Sequence, residues 1–140
     1  MRKYSYSKQS IKKSDLTSVI KTLKFHSLSR GPTVTKFENE LKKVTNSKYA
    51  IAVNSGSSAL IGAIKSLNLI PNSKILVPNI TFVATANSVL LSGYKVELID
   101  VCEKTGLVQV DELIKKITNK KISCFINVHL NGNISNLKKI

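Results

Sequence analysis

Residues 52–60 read Ala52-Val53-Asn54-Ser55-Gly56-Ser57-Ser58-Ala59-Leu60, where an apolar run meets a small polar turn and the start of an apolar helix. Residues 49–53 have the pattern of a strand, and residues 58–67 are apolar on nearly every side, as in a buried helix. A strand, a glycine-containing turn and a helix bring free backbone N–H groups to the positive end of a helix dipole. The stretch is therefore typical of an anion site.

The side chains of this turn suit a phosphate group. Gly56 lets the backbone approach a ligand closely. The hydroxyl groups of Ser55, Ser57 and Ser58 can each donate to an oxyanion. Serine is also a favoured N-cap residue, so the same turn can simply begin a helix. On the turn alone, a phosphate cradle and a plain helix start both stay open.

Strand-like and helical segments alternate along the chain from residue 49 onward. The strand-like runs are residues 49–53, 74–77, 95–99 and 122–128. The helical patterns between them are residues 58–67, 81–91 and 111–117. Gly93 is expected to stop the second of these helices. The alternation predicts an α/β layered fold with a mainly parallel sheet, in which ligands lie at the carboxyl ends of strands.

Two helical patterns precede this alternation. Ser14 can cap the first, and Thr35 and Glu38 have capping-box spacing in the second. The apolar stripe of the first helix, expected to be buried, consists of Leu16, Val19, Ile20 and Leu23. We therefore predict an N-terminal helical arm over residues 1–48 and a sheet-containing domain over residues 49–140.

Composition is that of a globular protein. The chain has 140 residues and is 42% hydrophobic, which is enough to bury a core. No segment approaches the roughly 20 apolar residues of a membrane span, and the first residues lead into no signal core, so we expect a cytoplasmic protein without a membrane partner. Cys102 and Cys124 are far apart and lack neighbours at metal-ligand spacing, so they predict reduced thiols and no metal site.

The formal net charge of +14 leaves two interpretations open. A basic field of this size attracts nucleic acid, which would make the chain a nucleic-acid-binding module. The lysines, however, are spread singly or in pairs, and only Arg2 and Arg30 offer the forked guanidinium group that nucleic-acid readers favour. We therefore interpret the charge as a solvated, lysine-rich surface and expect no nucleic-acid partner.

Several motifs follow one another in an order typical of one enzyme family. They are Tyr4-Ser5-Tyr6-Ser7-Lys8-Gln9-Ser10-Ile11, Leu28-Ser29-Arg30-Gly31-Pro32, Asn54-Ser55-Gly56-Ser57-Ser58-Ala59-Leu60, Pro78-Asn79-Ile80-Thr81-Phe82-Val83-Ala84-Thr85-Ala86-Asn87, Thr105-Gly106-Leu107 and Val128-His129-Leu130-Asn131-Gly132. With them the chain resembles the DegT/DnrJ/EryC1/StrS sugar aminotransferases, which use pyridoxal 5′-phosphate (PLP) on nucleotide-linked keto sugars. The resemblance implies the N-terminal portion of a fold type I PLP-dependent transferase large domain, with α/β/α layers.

Finer features resemble one branch of that family. Residues 7–11, residues 80–87 and Thr105-Gly106 look most like the enzymes that aminate the 4-keto carbon of a UDP-linked 6-deoxy-N-acetylhexosamine for pseudaminic acid. A neighbouring branch, such as the one that makes GDP-perosamine, shares most of these motifs. The resemblance implies a UDP-linked keto sugar and glutamate as substrates, and a homodimer for the full-length enzyme.

The resemblance also assigns residues to the cofactor. Gly56, Ser57 and Ser58 match the turn that holds the PLP phosphate in the family. Phe82 matches the aromatic residue that stacks on the pyridine ring; without the motif it would be taken for a core residue of a buried helix.

Substrate contacts are assigned by the same resemblance to Tyr6, Arg30 and Gly31. The last two lie in a loop that matches the substrate entrance of relatives and can equally be a simple turn between helices. His129 could serve as a general base by its chemistry, but proton transfer in this family belongs to a lysine, so we interpret His129 as a loop residue.

Two parts of the family's catalytic machinery have no match in this chain. PLP transamination needs a phosphate cradle, a carboxylate at the pyridinium nitrogen and a Schiff-base lysine. In the family the aspartate and the lysine follow the His129 motif, in sequence that would lie beyond Ile140. No catalytic residue is therefore assigned, and these 140 residues alone are expected not to transaminate. The alternative is a non-catalytic fragment or partner subunit that binds a phosphoryl ligand.

Overall fold

The computed structural model describes residues 8–29, 31–119 and 121–136. The chain forms two compact units, which divide between Ala52 and Val53. Across the described ranges, every helix is too short or too polar to cross a membrane. The predicted boundary between an arm and a larger domain after residue 48 stays a prediction.

The first helix of the N-terminal unit, α1, spans Lys13–Phe25. Its predicted cap at Ser14 is wrong, because the N-cap is Lys12, whose N–H donates to the Asp15 carboxylate over 2.8 Å. An acidic side chain at the third helical position thus satisfies the first free N–H group. The predicted burial of its apolar stripe is also wrong: Leu16 and Leu23 are 55% and 60% exposed, and α1 has no buried residue.

The second helix, α2, spans Pro32–Thr45. Its predicted capping box at Thr35 is wrong, because Gly31 is the N-cap and Pro32 occupies the first helical position. Proline is favoured there because its fixed φ suits a helix and its missing N–H would be unpaired anyway. The Glu38 carboxylate accepts the N–H of Ala52 over 2.9 Å instead of closing a box.

The predicted strand at residues 49–53 is wrong. These residues have neither helical nor strand structure, and Tyr49 and Ile51 are largely exposed. A strand needs a neighbouring strand to receive its backbone hydrogen bonds, whereas the N–H of Ala52 is taken by a carboxylate. An apolar run alone therefore gave the wrong prediction for this segment.

The second unit alternates helices and strands. Its elements are α3 (Gly56–Ser66), β1 (Lys74–Pro78), α4 (Ala84–Leu91), β2 (Lys95–Ile99), α5 (Val110–Asn119), β3 (Ile122–Phe125) and a 3₁₀ turn (Leu130–Gly132). The sheet has the order β2-β1-β3, and β1 pairs with both neighbours in parallel. The parallel α/β fold predicted from the alternating pattern is thereby confirmed.

Strand β1 is the centre of the core, and its alternating side chains enter two separate clusters. The cluster on one face consists of Ile64, Ile75, Val77 and Val89. The cluster on the other face consists of Leu76, Ile99, Val108 and Leu113. Because successive strand residues point to opposite faces, α3 and α4 cover one side of the sheet and α5 the other. This is the α/β/α layering that we expected.

Two helix starts in this unit differ from the predicted ones. Helix α3 begins at Gly56, two residues earlier than predicted, with Ser55 as its N-cap. Helix α4 begins at Ala84 instead of residue 81, because residues 79–83 form the loop that leads away from β1. The predicted stop at Gly93 is confirmed: its φ is +86° and its N–H donates to the Leu90 carbonyl over 3.0 Å.

Candidate functional site

The N-terminus of α3 presents unpaired donors. The N–H groups of Gly56 and Ser57 have no acceptor within the described parts of the chain, as is usual for the first turn of a helix. A Cβ built on Gly56 would meet no atom within 4 Å, so the space beside the Gly56 Cα is open. Two free donors at the positive end of an eleven-residue helix are an arrangement that favours a negatively charged group.

The three serines of the turn play different parts. The Ser55 hydroxyl oxygen accepts the N–H of Ser58 over 3.2 Å, which is the helix cap. The Ser58 hydroxyl donates to the Asn54 side-chain oxygen over 2.7 Å. The Ser57 hydroxyl has no hydrogen-bond partner within the described ranges and is exposed. Of the three hydroxyls proposed as phosphate donors, that of Ser57 is the one left unengaged.

An exposed aromatic ring lies beside this helix terminus. Phe82, in the loop between β1 and α4, is 75% exposed, so its ring is accessible from outside the protein. Ser57 and Phe82 line the same cleft of about 290 Å³. Its remaining lining residues are Ile61, Val83, Ala84, Asn87, Ser88 and Leu91. The structure thus brings together two of the four residues assigned to the cofactor, with Gly56 and Ser58 on either side of Ser57.

Asn79 and Asp100 form a second feature at the carboxyl end of the sheet, which we did not single out as a site from sequence. Asn79 follows β1 and Asp100 follows β2, and the Asn79 amide donates to the Asp100 carboxylate. The Asn79 N–H also donates to the Ile99 carbonyl over 2.9 Å. Both residues line a cavity of about 380 Å³. Their positions directly after two strands were the signal that could have revealed this pair.

His129 contributes to the geometry of its own loop. Its Nδ1 accepts the N–H of Ser135 over 3.3 Å, and the Ser135 hydroxyl donates to the Asn127 side-chain oxygen over 3.0 Å. One ring nitrogen is therefore occupied in holding residues 129–135 together. This bonding agrees with our interpretation of His129 as a loop residue.

A comparison with protein families matches residues 9–140, nearly the whole chain, to one family. The chain belongs to the DegT/DnrJ/EryC1/StrS aminotransferase family. The resemblance recognised in the sequence motifs is thereby confirmed. PLP is the cofactor of this aminotransferase family, as expected.

Three relatives illustrate this membership. The spore coat polysaccharide biosynthesis protein SpsC of Bacillus subtilis is 32% identical over 127 residues, which are 91% of this chain and 32% of SpsC. A UDP-4-amino-4,6-dideoxy-N-acetyl-beta-L-altrosamine transaminase of Campylobacter jejuni is 39% identical over 97 residues, which are 69% of this chain and 26% of the transaminase. The solved structure of Helicobacter pylori PseC, an aminotransferase of pseudaminic acid biosynthesis, superposes with a TM-score of 0.88 at 26% identity, over 99% of this chain and 38% of PseC.

The chain spans between 26% and 38% of the length of these relatives. The superposition on PseC covers almost every residue of this chain, so the fold of part of this aminotransferase is present here. The predicted fold class, a portion of a PLP-dependent transferase large domain, is confirmed.

The residues assigned to the substrate are less fully described. Tyr6 and Arg30 lie outside the described residues. Gly31 is the N-cap of α2, and a Cβ at this position would overlap the carbonyl oxygen of Ser27. The backbone at Gly31 therefore requires glycine for a local steric reason. The roles of all three residues in substrate binding stay predictions.

Proposed function

We propose that this chain is the N-terminal part of a PLP-dependent aminotransferase that transfers an amino group from glutamate to the 4-keto carbon of a nucleotide-linked deoxy sugar. The sugar would be used in surface polysaccharide or nonulosonic acid biosynthesis. Residues 49–140 would form the first part of the PLP-binding large domain, and residues 1–48 an N-terminal arm. The full-length enzyme would act as a homodimer in the cytoplasm.

The observation that carries this proposal is the cleft shared by Ser57 and Phe82. A phosphorylated pyridine needs hydrogen-bond donors at one end and a flat apolar surface beside its ring. Free N–H groups at the start of α3 and the Ser57 hydroxyl offer the first, and the exposed Phe82 ring offers the second. Gly56 leaves room for the phosphate to approach, so the residues present fit the cofactor.

The cofactor, when bound, supplies the electron sink and carries the amino group between the two substrates. The part of the chain described above would bind and orient it. The N–H groups of Gly56 and Ser57 and the Ser57 hydroxyl would hold the phosphate, and Phe82 would fix the plane of the ring. By the family resemblance, the aspartate at the pyridinium nitrogen and the Schiff-base lysine would lie beyond Ile140. These 140 residues alone would then bind without transferring the amino group.

The sugar is proposed at two levels. Membership of the aminotransferase family and the nucleotide-sugar relatives support a nucleotide-linked keto sugar. The UDP-linked 6-deoxy-N-acetylhexosamine of pseudaminic acid biosynthesis is the finer proposal, supported by the Campylobacter relative and by the fit to PseC. Tyr6, Arg30 and Gly31 are proposed to contact the sugar nucleotide.

Cofactor binding can be tested on the 140-residue chain with pyridoxamine 5′-phosphate. Its amine does not react with the many lysines of this chain, as the aldehyde of PLP would. We expect the phosphorylated ligand to bind more tightly than pyridoxamine, which has the same ring without a phosphate. Ser57→Ala should weaken binding of the phosphorylated ligand about 10- to 100-fold, because a hydrogen bond to a charged group is lost. Equal affinity for the two ligands would contradict the proposal.

The transfer reaction can be tested separately. The transcript should be read beyond codon 140, and the polypeptide it encodes should be incubated with glutamate and a UDP-4-keto sugar. We expect a longer polypeptide to release 2-oxoglutarate and the 140 residues alone to release none. If the reading frame stops at residue 140 and the chain still binds pyridoxamine 5′-phosphate, the alternative function as a non-catalytic binding subunit is favoured.

A further inference from the structure

At the start of α3, side-chain hydrogen bonds connect Asn54, Ser55 and Ser58. The Ser58 hydroxyl donates to the Asn54 oxygen over 2.7 Å, and the Ser55 and Ser58 hydroxyl oxygens lie 3.0 Å apart. The Ser58 N–H donates to the Ser55 hydroxyl oxygen over 3.2 Å. Three side chains and one backbone group are therefore connected within the first helical turn.

The positions of the hydroxyl protons follow from a simple count. A serine hydroxyl carries one proton, and the Ser58 hydroxyl uses its proton in the hydrogen bond to the Asn54 oxygen. The contact between the two hydroxyls must then use the proton of Ser55, which donates to the Ser58 oxygen. Both protons are consumed within the turn, and the chain of donors ends at the Asn54 oxygen. The hydroxyl proton of Ser57 remains free for a ligand.

We propose that Asn54 is a positioning residue of the phosphate cradle: by accepting the Ser58 hydroxyl proton, it orders the first turn so that Ser57 alone presents a hydroxyl to the phosphate. This inference rests on the proposed function of the α3 N-terminus as a cofactor site. It changes the role of Ser58 from a direct phosphate ligand to a residue that connects Asn54 to the helix cap. Asn54 itself would touch no part of the cofactor.

An amide suits this position better than a carboxylate would. The Asn54 oxygen is a neutral acceptor, so it orders the two hydroxyls without placing a negative charge near a phosphate dianion. The gain for binding is pre-organisation. The N–H groups of Gly56 and Ser57 are held in the orientation that the helix cap imposes before the ligand arrives.

Four variants of the 140-residue chain test this role: Asn54→Ala, Ser58→Ala, the double variant of both, and Ser57→Ala. The dissociation constants for pyridoxamine 5′-phosphate and pyridoxamine are measured by calorimetry, and the bound phosphate is observed by ³¹P NMR. We expect Asn54→Ala and Ser58→Ala each to weaken binding of the phosphorylated ligand about 2- to 10-fold, the effect of losing one neutral hydrogen bond. The double variant should be no weaker than either single variant, because both remove the same hydrogen bond.

Three further measurements separate positioning from a general loss of structure. Affinity for pyridoxamine, which has no phosphate, should not change in Asn54→Ala. Ser58→Thr keeps the hydroxyl. Its dissociation constant for the phosphorylated ligand should therefore stay within about twofold of that of the original chain, a smaller change than the loss of one hydrogen bond would cause. Ser57→Ala should move the ³¹P resonance of the bound phosphate further than Ser58→Ala does, since only Ser57 is expected to touch it.

The outcomes distinguish this inference from the function on which it rests. If Ser58→Ala weakens binding as much as Ser57→Ala while Asn54→Ala has no effect, Ser58 binds the phosphate directly and the inference is overturned. Additive losses in the double variant would overturn it as well. In both cases, a preference of the original chain for the phosphorylated ligand would still support the proposed cofactor site. Absence of that preference would remove the site and the inference together.

Discussion

Gly106 and Leu130 lie in contact, although they are 24 positions apart in the sequence. A Cβ built on Gly106 would stand 2.5 Å from the Leu130 Cδ2 atom. Gly106 has φ +67°, and its N–H donates to the Cys102 carbonyl over 2.8 Å in the turn that joins Val101 to Val108. Two of the stretches that carry the family resemblance, residues 105–107 and 128–132, therefore meet in space at a position that only glycine fits.

Gly106→Ala should lower the free energy of unfolding for two reasons. A left-handed φ costs alanine about 1–2 kcal/mol, and the overlap with Leu130 adds about 1 kcal/mol, the low end for overpacking because a side-chain methyl can turn away. Urea unfolding measures the sum. Gly93→Ala is the matched control, since Gly93 has φ +86° and a Cβ there would meet no atom within 4 Å. Equal losses in the two variants would contradict the steric part of this prediction.

Leu76→Ala should be among the most destabilising single changes in the chain. Leu76 lies in the central strand and is fully buried, so its truncation leaves a cavity in one of the two core clusters. We expect a loss of about 2–5 kcal/mol in the free energy of unfolding. Leu90→Ala removes the same atoms from a side chain that is 58% exposed, and it should cost well under half as much. Similar losses would mean that Leu76 does not lie in the core as described.

The two cysteines should react at different pH values. Hydrogen bonds from the Thr105 side chain, and then from the backbone of Lys104 and Thr105, lower the pKa of Cys102, whereas burial raises the pKa of Cys124. Because the thiolate is the nucleophile, alkylation by iodoacetamide should begin at lower pH for Cys102. Peptide mass spectrometry across a pH series measures both. Thr105→Val should move the Cys102 profile to higher pH, and an unchanged profile would exclude Thr105 as the cause.

Phe82→Leu should separate ring stacking from stability. The side chain is exposed, so its replacement by another apolar residue should change the free energy of unfolding by less than about 0.5 kcal/mol. Loss of the aromatic face should weaken binding of pyridoxamine 5′-phosphate about 2- to 10-fold, which corresponds to the free energy of one aromatic pair. Calorimetry and thermal unfolding of the same samples provide both values. A large loss of stability with unchanged binding would indicate a packing role.

Several features of the fold could be predicted from local pattern. Residues 95–99 alternate in a way that marks a strand, and the structure has β2 at those residues. Gly93 was expected to end a helix because glycine tolerates positive φ, and it does so. Such signals are local: they depend on a few adjacent residues and on the conformations those residues allow. The motif order, which indicated the aminotransferase family, is likewise a property of the sequence.

The failures have a shared physical reason. Residues 49–53 carry a strand-like pattern, yet a strand exists only where a partner backbone receives its hydrogen bonds. The stripe on α1 has helical spacing, yet its burial depends on what packs over it. In both cases the outcome depends on a partner, a neighbouring strand or a packing surface, that the local sequence pattern does not contain.

The candidate site divides in the same way. The sequence by itself determined that a glycine and three serines stand at the start of a helix and that an aromatic residue follows the next strand, because residue type and order are all that these statements need. Only the tertiary structure decided that Ser57 and Phe82 line one cleft. The local backbone at the start of α3 decided that the Ser58 hydroxyl donates its hydrogen bond to Asn54. The cleft depends on how α3 and α4 pack on the same face of the sheet. The hydrogen bond depends on which acceptor lies within reach of the hydroxyl. Distances in space decide both, and the order of residues does not state those distances.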